Sequence, residues 1–164
     1  MEPKASCQIE NAKIRHWPRI YSLMAGFFTE LGHRRLAYTI YMATFRSTAS
    51  VLVLNGKVVG VVIYKVLAPG RYWLDYLVID PDHRGRGLAS QLLEGMESRC
   101  REEGCESIAL AVLIENQPAL SFYQQHGFAE ANSKEVNSRS DGKIVLRKQV
   151  ANAVPTRFVG APKI

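Results

Sequence analysis

The stretch Leu77-Val78-Ile79-Asp80-Pro81-Asp82-His83-Arg84-Gly85-Arg86-Gly87-Leu88-Ala89-Ser90 decides the fold. It closes a run from Tyr72 to Ile79 that is nearly all apolar, as in a strand buried on both faces, with Asp75 as its one charge. Beyond the turn, Leu88, Leu92, Met96 and Cys100 recur every four residues, with Ala89 and Leu93 widening the stripe, so a helix is predicted from Leu88 to Glu103. Gly104 ends it, and Ile108 to Ile114 reads as a second buried strand. Strand, glycine turn, helix and strand make a βαβ unit, so the strands around Val78 and Val112 are expected to run parallel.

The turn also carries chemistry. The first N–H groups of a helix lack intrahelical partners and sit at its positive dipole end, where they bind anions. Gly85 and Gly87 remove the Cβ atoms that would hold a diphosphate away from those groups. The turn is not a Walker loop, since no G-x-x-x-x-G-K-[ST] is present. Nor is it a dinucleotide fingerprint, because Gly87 is followed by Leu88, Ala89 and Ser90 with no third glycine.

On the N-terminal side, Val51–Leu54 and Lys57–Tyr64 flank Asn55-Gly56, which predicts a hairpin with a type I′ turn. Before it, Ser6–Lys13 reads as a first strand. Trp17–Leu31 reads as a helix with an apolar stripe through Ile20, Leu23, Met24, Phe27 and Phe28, closed by Gly32. A second helix is expected over His33–Phe45, with Leu36, Ile40 and Ala43 or Thr44 on one side. On the C-terminal side come a short helix over Pro118–His126, closed by Gly127, and a last strand over Ile144–Val150. Ala151–Ile164 has weak periodicity and reads as a tail or an extra edge segment.

The 164 residues, 47% hydrophobic and 22% charged, suit one globular domain, taken as residues 1–150. No apolar run approaches the roughly 20 residues of a membrane helix, and Met1–Glu10 has no signal-peptide pattern. Cys7, Cys100 and Cys105 are odd in number and lack C-x-x-C spacing, and the four histidines form no H-E-x-x-H. Neither a disulfide framework nor a metal site is expected, and a cytoplasmic location is. The net charge of +6 would suggest nucleic acid, but it is segmental: +6 over residues 31–74, −6 over 75–130 and +5 over 131–164. No basic stripe with interleaved aromatics follows from it, so neither a nucleic-acid nor a membrane partner is expected.

Arg84-x-x-Gly87-x-Ala89 resembles the pyrophosphate signature [Q/R]-x-x-G-x-[G/A] of the GNAT superfamily of acyl-CoA-dependent N-acetyltransferases. A second match follows in the same order. Val112, Asn116, Ala119, Phe122-Tyr123 and His126-Gly127-Phe128 are similar to that family's later motif, N-x-x-A-x-x-F-Y-x-x-x-G-F after a strand. The resemblance is specific from Leu77 to Phe128, and element order agrees from Cys7 to Val150.

The resemblance implies an α/β fold: a mixed sheet of about seven strands flanked by about four helices, with two parallel strands splayed around acetyl-CoA. The pantetheine arm would pair with the backbone of Leu77, Val78 and Ile79 as an added strand. The diphosphate would lie on Arg84, Gly85, Arg86, Gly87, Leu88, Ala89 and Ser90. Asn116 would touch the pantetheine or open the following helix. The implied reaction is direct attack of an amine on the thioester. A backbone N–H at Val78 would meet the oxyanion, and Tyr123 would hydrogen-bond the departing sulfur.

Asp75 is the first candidate for general base. Strand spacing puts it on the side of Leu77 and Ile79, where apolar neighbours would desolvate it and raise its pKa. A structural carboxylate is the alternative, and Glu30, Tyr38, Tyr41 or water stay open as bases. Arg84 and Arg86 could instead pair with Asp80 and Asp82, and His83 reads as exposed. Protein α-amine acetyltransferases of this kind usually carry paired tyrosines after the G-F, whereas Ala129-Glu130-Ala131-Asn132-Ser133 follows here. The two basic segments are expected to wall the acceptor site, which favours a small amine bearing an anionic group. A protein amine, or a CoA-binding regulatory domain without catalysis, is the alternative. Free sheet edges and the tail leave room for a homodimer.

Overall fold

The computed structural model describes residues 7–25, 33–46, 48–131, 139–140 and 142–150. The strands are β1 (Cys7–Asn11), β2 (Ala49–Leu54), β3 (Lys57–Ala68), β4 (Arg71–Ile79), β5 (Ser107–Leu113), β6 (Ala129–Glu130), β7 (Arg139–Ser140) and β8 (Lys143–Gln149). The helices are α1 (Trp17–Ala25), α2 (His33–Phe45), α3 (Leu88–Glu102) and α4 (Gln117–Gln125). One mixed sheet runs β1-β2-β3-β4-β5-β8-β6, with β7 pairing β8. Every neighbouring pair is antiparallel except β4 and β5. The α/β class, the mixed sheet and the parallel pair are those the sequence implied.

The hairpin forms as expected, with Asn55 at φ 49° and Gly56 at φ 78°, the two left-handed positions of a type I′ turn. Two apolar layers cover the sheet. On one face Ile20, Leu23 and Met24 of α1 and Ile40 and Ala43 of α2 pack on Val51, Val61, Ile63 and Val78. On the other, Leu88, Leu92, Leu93, Met96 and Cys100 of α3 pack with Leu120 of α4 on Val62, Leu74, Ile79, Ile108 and Leu146. Gly60 on β3 permits this close approach, because a Cβ there would lie 2.6 Å from Ile79 Cδ1 and 3.3 Å from Leu92 Cδ2.

Two elements go beyond the sequence reading. The two-residue strands β6 and β7 are too short to leave a periodic signal and exist because β8 offers them an edge. The first helix is described as far as Ala25, and the expected continuation through Leu31 to Gly32 lies outside the described residues. So do the tail from Ala151 and the Leu36 side chain.

β4 and β5 are paired only at Arg71/Ser107, Tyr72/Ile108 and Trp73/Ala109. Past Trp73 they part. On the other side β4 stays paired to β3 as far as Ile79, but the register skips Asp75: Tyr64 faces Leu74 and Ile63 faces Tyr76. Asp75 is therefore a β-bulge, and the bend it puts into β4 coincides with the start of the fork. β4 is packed on both faces as expected, with Leu74 and Ile79 on one side and Val78 on the other, but past Trp73 its β5-side edge has no strand partner among the described residues, and Asp75, Tyr76 and Leu77 are only half-buried.

Candidate active site

The fork opens into a crevice of about 470 Å³. Leu77, Val78 and Ile79 of β4 form one wall, Asn116, Pro118, Ala119, Phe122 and Tyr123 the other, and His83 to Ser90 the floor. Of the residues expected to hold the cofactor, the fold gathers Leu77, Val78, Ile79, Arg84, Gly85, Gly87, Leu88, Ala89, Ser90, Asn116 and Tyr123 there. Arg86 is exposed and does not line it.

Which backbone groups face the crevice follows from the ladder. Asp80 N–H donates to Val59 O at 2.8 Å. In an antiparallel pair that arrangement repeats every second residue, so Val78 N–H is turned to Val61 on β3. The N–H and C=O of Leu77 and Ile79 point the opposite way, into the fork. The expectation of a crevice-facing donor at Val78 N–H is thus corrected, since strand alternation turns the N–H groups of Leu77 and Ile79 there instead.

The turn has the backbone that its glycines predict. Gly85 and Gly87 sit at φ 71° and 72°, and a Cβ built on either meets nothing within 4 Å. Their value is the left-handed backbone and the open space in front of it, which together present the first N–H groups of α3 to the crevice. Asp80 holds the turn from behind. It is buried, accepts from Asp82 N–H at 3.2 Å, and is ion-paired with Arg19 of α1. Among the described residues Asp80 therefore meets Arg19, not Arg84, and Arg84 Nε donates to Ile79 O at 3.3 Å. His83, expected to be exposed, is half-buried on the crevice floor, with Nδ1 3.6 Å from Asp80 Oδ2. Neither Arg19 nor His83 was legible as a site residue, because the first is 61 residues from its partner and the second has no motif position.

Asn116 opens α4, its side-chain oxygen accepting from Ala119 N–H at 3.2 Å, and it also lines the crevice. Tyr123 packs between Phe122 and Phe128, with centroids at 5.2 and 5.6 Å. Desolvation in that setting pushes its phenol up to about 12. It is a neutral donor at any physiological pH. Handing its proton to an ordinary thiolate would cost ~5 kcal/mol, so it can stabilise a sulfur anion by hydrogen bonding far more readily than by transfer.

Asp75 is the larger correction. Without the bulge it would share a face with Leu77 and Ile79. With it, Leu77 and Ile79 pack on the α3 side, while Asp75 lines a cavity of about 250 Å³ on the α2 side with Tyr38, Arg46 and Lys65. Its carboxylate is 21% exposed and bonded to Lys65 Nζ at 2.9 Å, so it is not the desolvated group that the apolar run suggested. Tyr41 is exposed, edge-on to Trp17 and stacked on Phe45, and Glu30 lies outside the described residues.

The crevice fits a thioester carrying an extended amide arm and a diphosphate: a bare strand edge for the arm, an amide-lined turn for the anion, and a phenol opposite the strand. Comparison with known proteins gives the fold and the family. Ard1 from Thermoplasma volcanium superposes with a TM-score of 0.74 at 22% identity, over 88% of this chain and 97% of that one. N-acetylglutamate synthase from Neisseria gonorrhoeae, in complex with coenzyme A and N-acetyl-glutamate, gives a TM-score of 0.72 at 17% identity, over 90% of this chain and 36% of that one. By sequence, the N-alpha-acetyltransferase MAK3 of Arabidopsis thaliana is 29% identical over 119 residues, 71% of this chain. The match spans 62% of that relative's length. The acetyltransferase (GNAT) family model matches residues 17–128, which take in both faces of the fork and the turn between them, and this chain belongs to that family.

Proposed function

We propose that this chain transfers the acetyl group of acetyl-CoA to a primary amine by direct attack within a ternary complex. The observation that carries the reading is the convergence, on one crevice, of the free Leu77 and Ile79 backbone, the Gly85–Gly87 turn and the Tyr123 phenol. The thioester supplies the electrophile; everything else is done by the chain. Leu77 and Ile79 hold the amide arm and supply N–H groups to the carbonyl oxygen as it gains charge. The start of α3, with Arg84, neutralises the diphosphate. Tyr123 donates to the leaving sulfur. Asp75, at the fork on the α2 face, draws the acceptor's ammonium and takes its proton by way of solvent.

For the acceptor we propose a small amine bearing an anionic group, with an amino acid as the simplest case. Arg46 beside the Asp75 cavity supports this, but less of the positive charge is available than the sequence suggested. Arg71 begins β4 at the end remote from the crevice, Lys148 is bonded to Glu97, and Lys65 to Asp75. A peptide N-terminus is the second reading, favoured by the likeness to an N-alpha-acetyltransferase. Thiol release from acetyl-CoA over a panel of acidic amino acids, polyamines, amino sugars and peptides separates them. Turnover of acidic amines above peptides supports the first reading, and the reverse order the second. Acetyl-CoA binding without thiol release for any amine would leave a regulatory CoA-binding domain.

A further inference from the structure

Across the crevice floor, α3 and α4 are joined by one side-chain hydrogen bond that the cofactor reading does not use. His126 Nε2 lies 2.9 Å from Ser90 Oγ, and its Nδ1 lies 2.7 Å from the carbonyl oxygen of Phe122. A carbonyl can only accept, so Nδ1 carries a hydrogen. In a neutral imidazole that leaves Nε2 bare, and Ser90 must give its single hydroxyl hydrogen to it. Ser90 Oγ then has only lone pairs to turn toward the crevice it lines. That is the wrong polarity for a diphosphate.

We propose that His126 is a positioning residue that takes up a proton when the diphosphate binds, and so turns Ser90 into a donor to it. A solvent proton bonds to Nε2, Nε2–H donates to Ser90 Oγ, and the released O–H swings to a phosphate oxygen. The proposal rests on the reading of the glycine turn as a diphosphate cradle. Position supports it twice. His126 caps the C-terminal end of α4 and bonds a last-turn carbonyl, where a cation is favoured. Ser90 is the third residue of α3, at the end where an anion is favoured. The neutral hydroxyl thus bridges a diphosphate and an imidazolium, each at the helix end that favours its sign. His126 itself does not line the crevice and acts only through Ser90.

The other charged groups on the elements meeting at this corner are Glu94, Glu97, Arg99, Arg101 and Glu102 of α3, Lys143, Arg147 and Lys148 of β8 and Glu130 of β6, with Arg84 and a second histidine, His83, in the turn. Glu97 is held by Lys148 at 2.7 Å and by Arg101 at 3.3 Å. His83 is a second imidazole and lines the same crevice, so the test must tell the two histidines apart.

Dephospho-CoA is the probe, since it keeps the diphosphate and lacks the terminal phosphate that would titrate in the same range. Calorimetry of the full chain at pH 7 in buffers of different ionisation enthalpy should show proton uptake on binding. Affinity should weaken roughly tenfold from pH 6 to pH 8, as linkage to one proton requires. In His126→Gln and in Ser90→Ala the dependence should flatten to within about twofold, whereas His83→Gln should keep it. Binding without proton uptake, or a slope that survives in His126→Gln, overturns the proposal. Failure of dephospho-CoA to bind at any pH overturns the cofactor reading itself, and this proposal with it.

Discussion

Tyr123 shows how its surroundings set the acidity of a single side chain. A phenol in water and one packed between Phe122 and Phe128 are the same donor, but the second is a much weaker acid, pushed up to about 12. Tyr123→Phe keeps the ring and its packing and removes the donor. We expect kcat to fall about 10²-fold with the KM for acetyl-CoA nearly unchanged, read by single-turnover thiol release. An unchanged chemical step would end its role as donor. Because the phenol stays protonated, the wild-type rate should show no alkaline limb from Tyr123 below pH 10. Asp75 teaches the converse. Its apolar neighbours in sequence suggest a buried base, yet one unmatched residue in the β3–β4 register puts it on the other face beside Lys65. If Asp75 receives the acceptor's proton, Asp75→Asn should lower kcat/KM about 10²-fold at pH 7 and recover part of it by pH 9, where the free amine is more abundant. Equal losses at both pH values would point to a structural role.

At the scale of elements, the site is made by what strands and helices do at their ends. β4 carries the crevice because it leaves β5 after Trp73, and α3 supplies the cradle because Gly87 starts it from a left-handed backbone. α4 begins at Asn116, whose side chain accepts from Ala119 N–H. Loss of such a cap costs about 1 kcal/mol. Asn116→Ala should therefore lower stability by about that amount, measured by denaturant unfolding, and Asn116→Asp should restore it. An alanine variant as stable as the parent would mean that Asn116 serves the crevice alone. The capping role is visible in the spacing Asn116-x-x-Ala119 followed by an apolar helix face. The hairpin was equally legible, since Asn-Gly between two β-branched runs has one favoured turn. The splay of the parallel strands came only with the family resemblance and the bulge was not legible at all, because β4–β5 partners lie 36 residues apart and the β3–β4 pairs flanking Asp75 lie 10 and 13 apart.

The whole molecule adds a property that no one element has. Around the C-terminal end of α3, Tyr64, Tyr72, Cys100 and Cys105 are buried together, with Tyr72 Oη donating to Glu103 Oε2 at 3.3 Å. Burial pushes Cys105 up to about 11 and Tyr72, with Glu103 beside it, up to about 12; Cys100 and Tyr64 rise further still. The unfolded chain releases these protons from about pH 8.5, while the native state holds them. Stability is therefore complete below pH 8.5 and falls as pH rises through the folded values. Urea midpoints at pH 8 and pH 10.5 should show the fall, and a Cys100→Ala, Cys105→Ala double variant should show less of it. Equal midpoints would contradict it.

Local order was legible in the sequence: the hairpin, three of the four helix spans to within a residue or two, the glycine turn and the residues that line it. Periodicity, capping and turn chemistry act over a few residues and leave their mark in adjacent letters. Tertiary structure alone decided which backbone amides face the fork, which face Asp75 takes, and that Arg19 rather than Arg84 meets Asp80. It also brought His126 to Ser90 across 36 residues. The physical reason is one of range. A one-residue slip in register reverses the direction of every side chain and amide beyond it, and register is set by packing between elements and not by the run of residues within one.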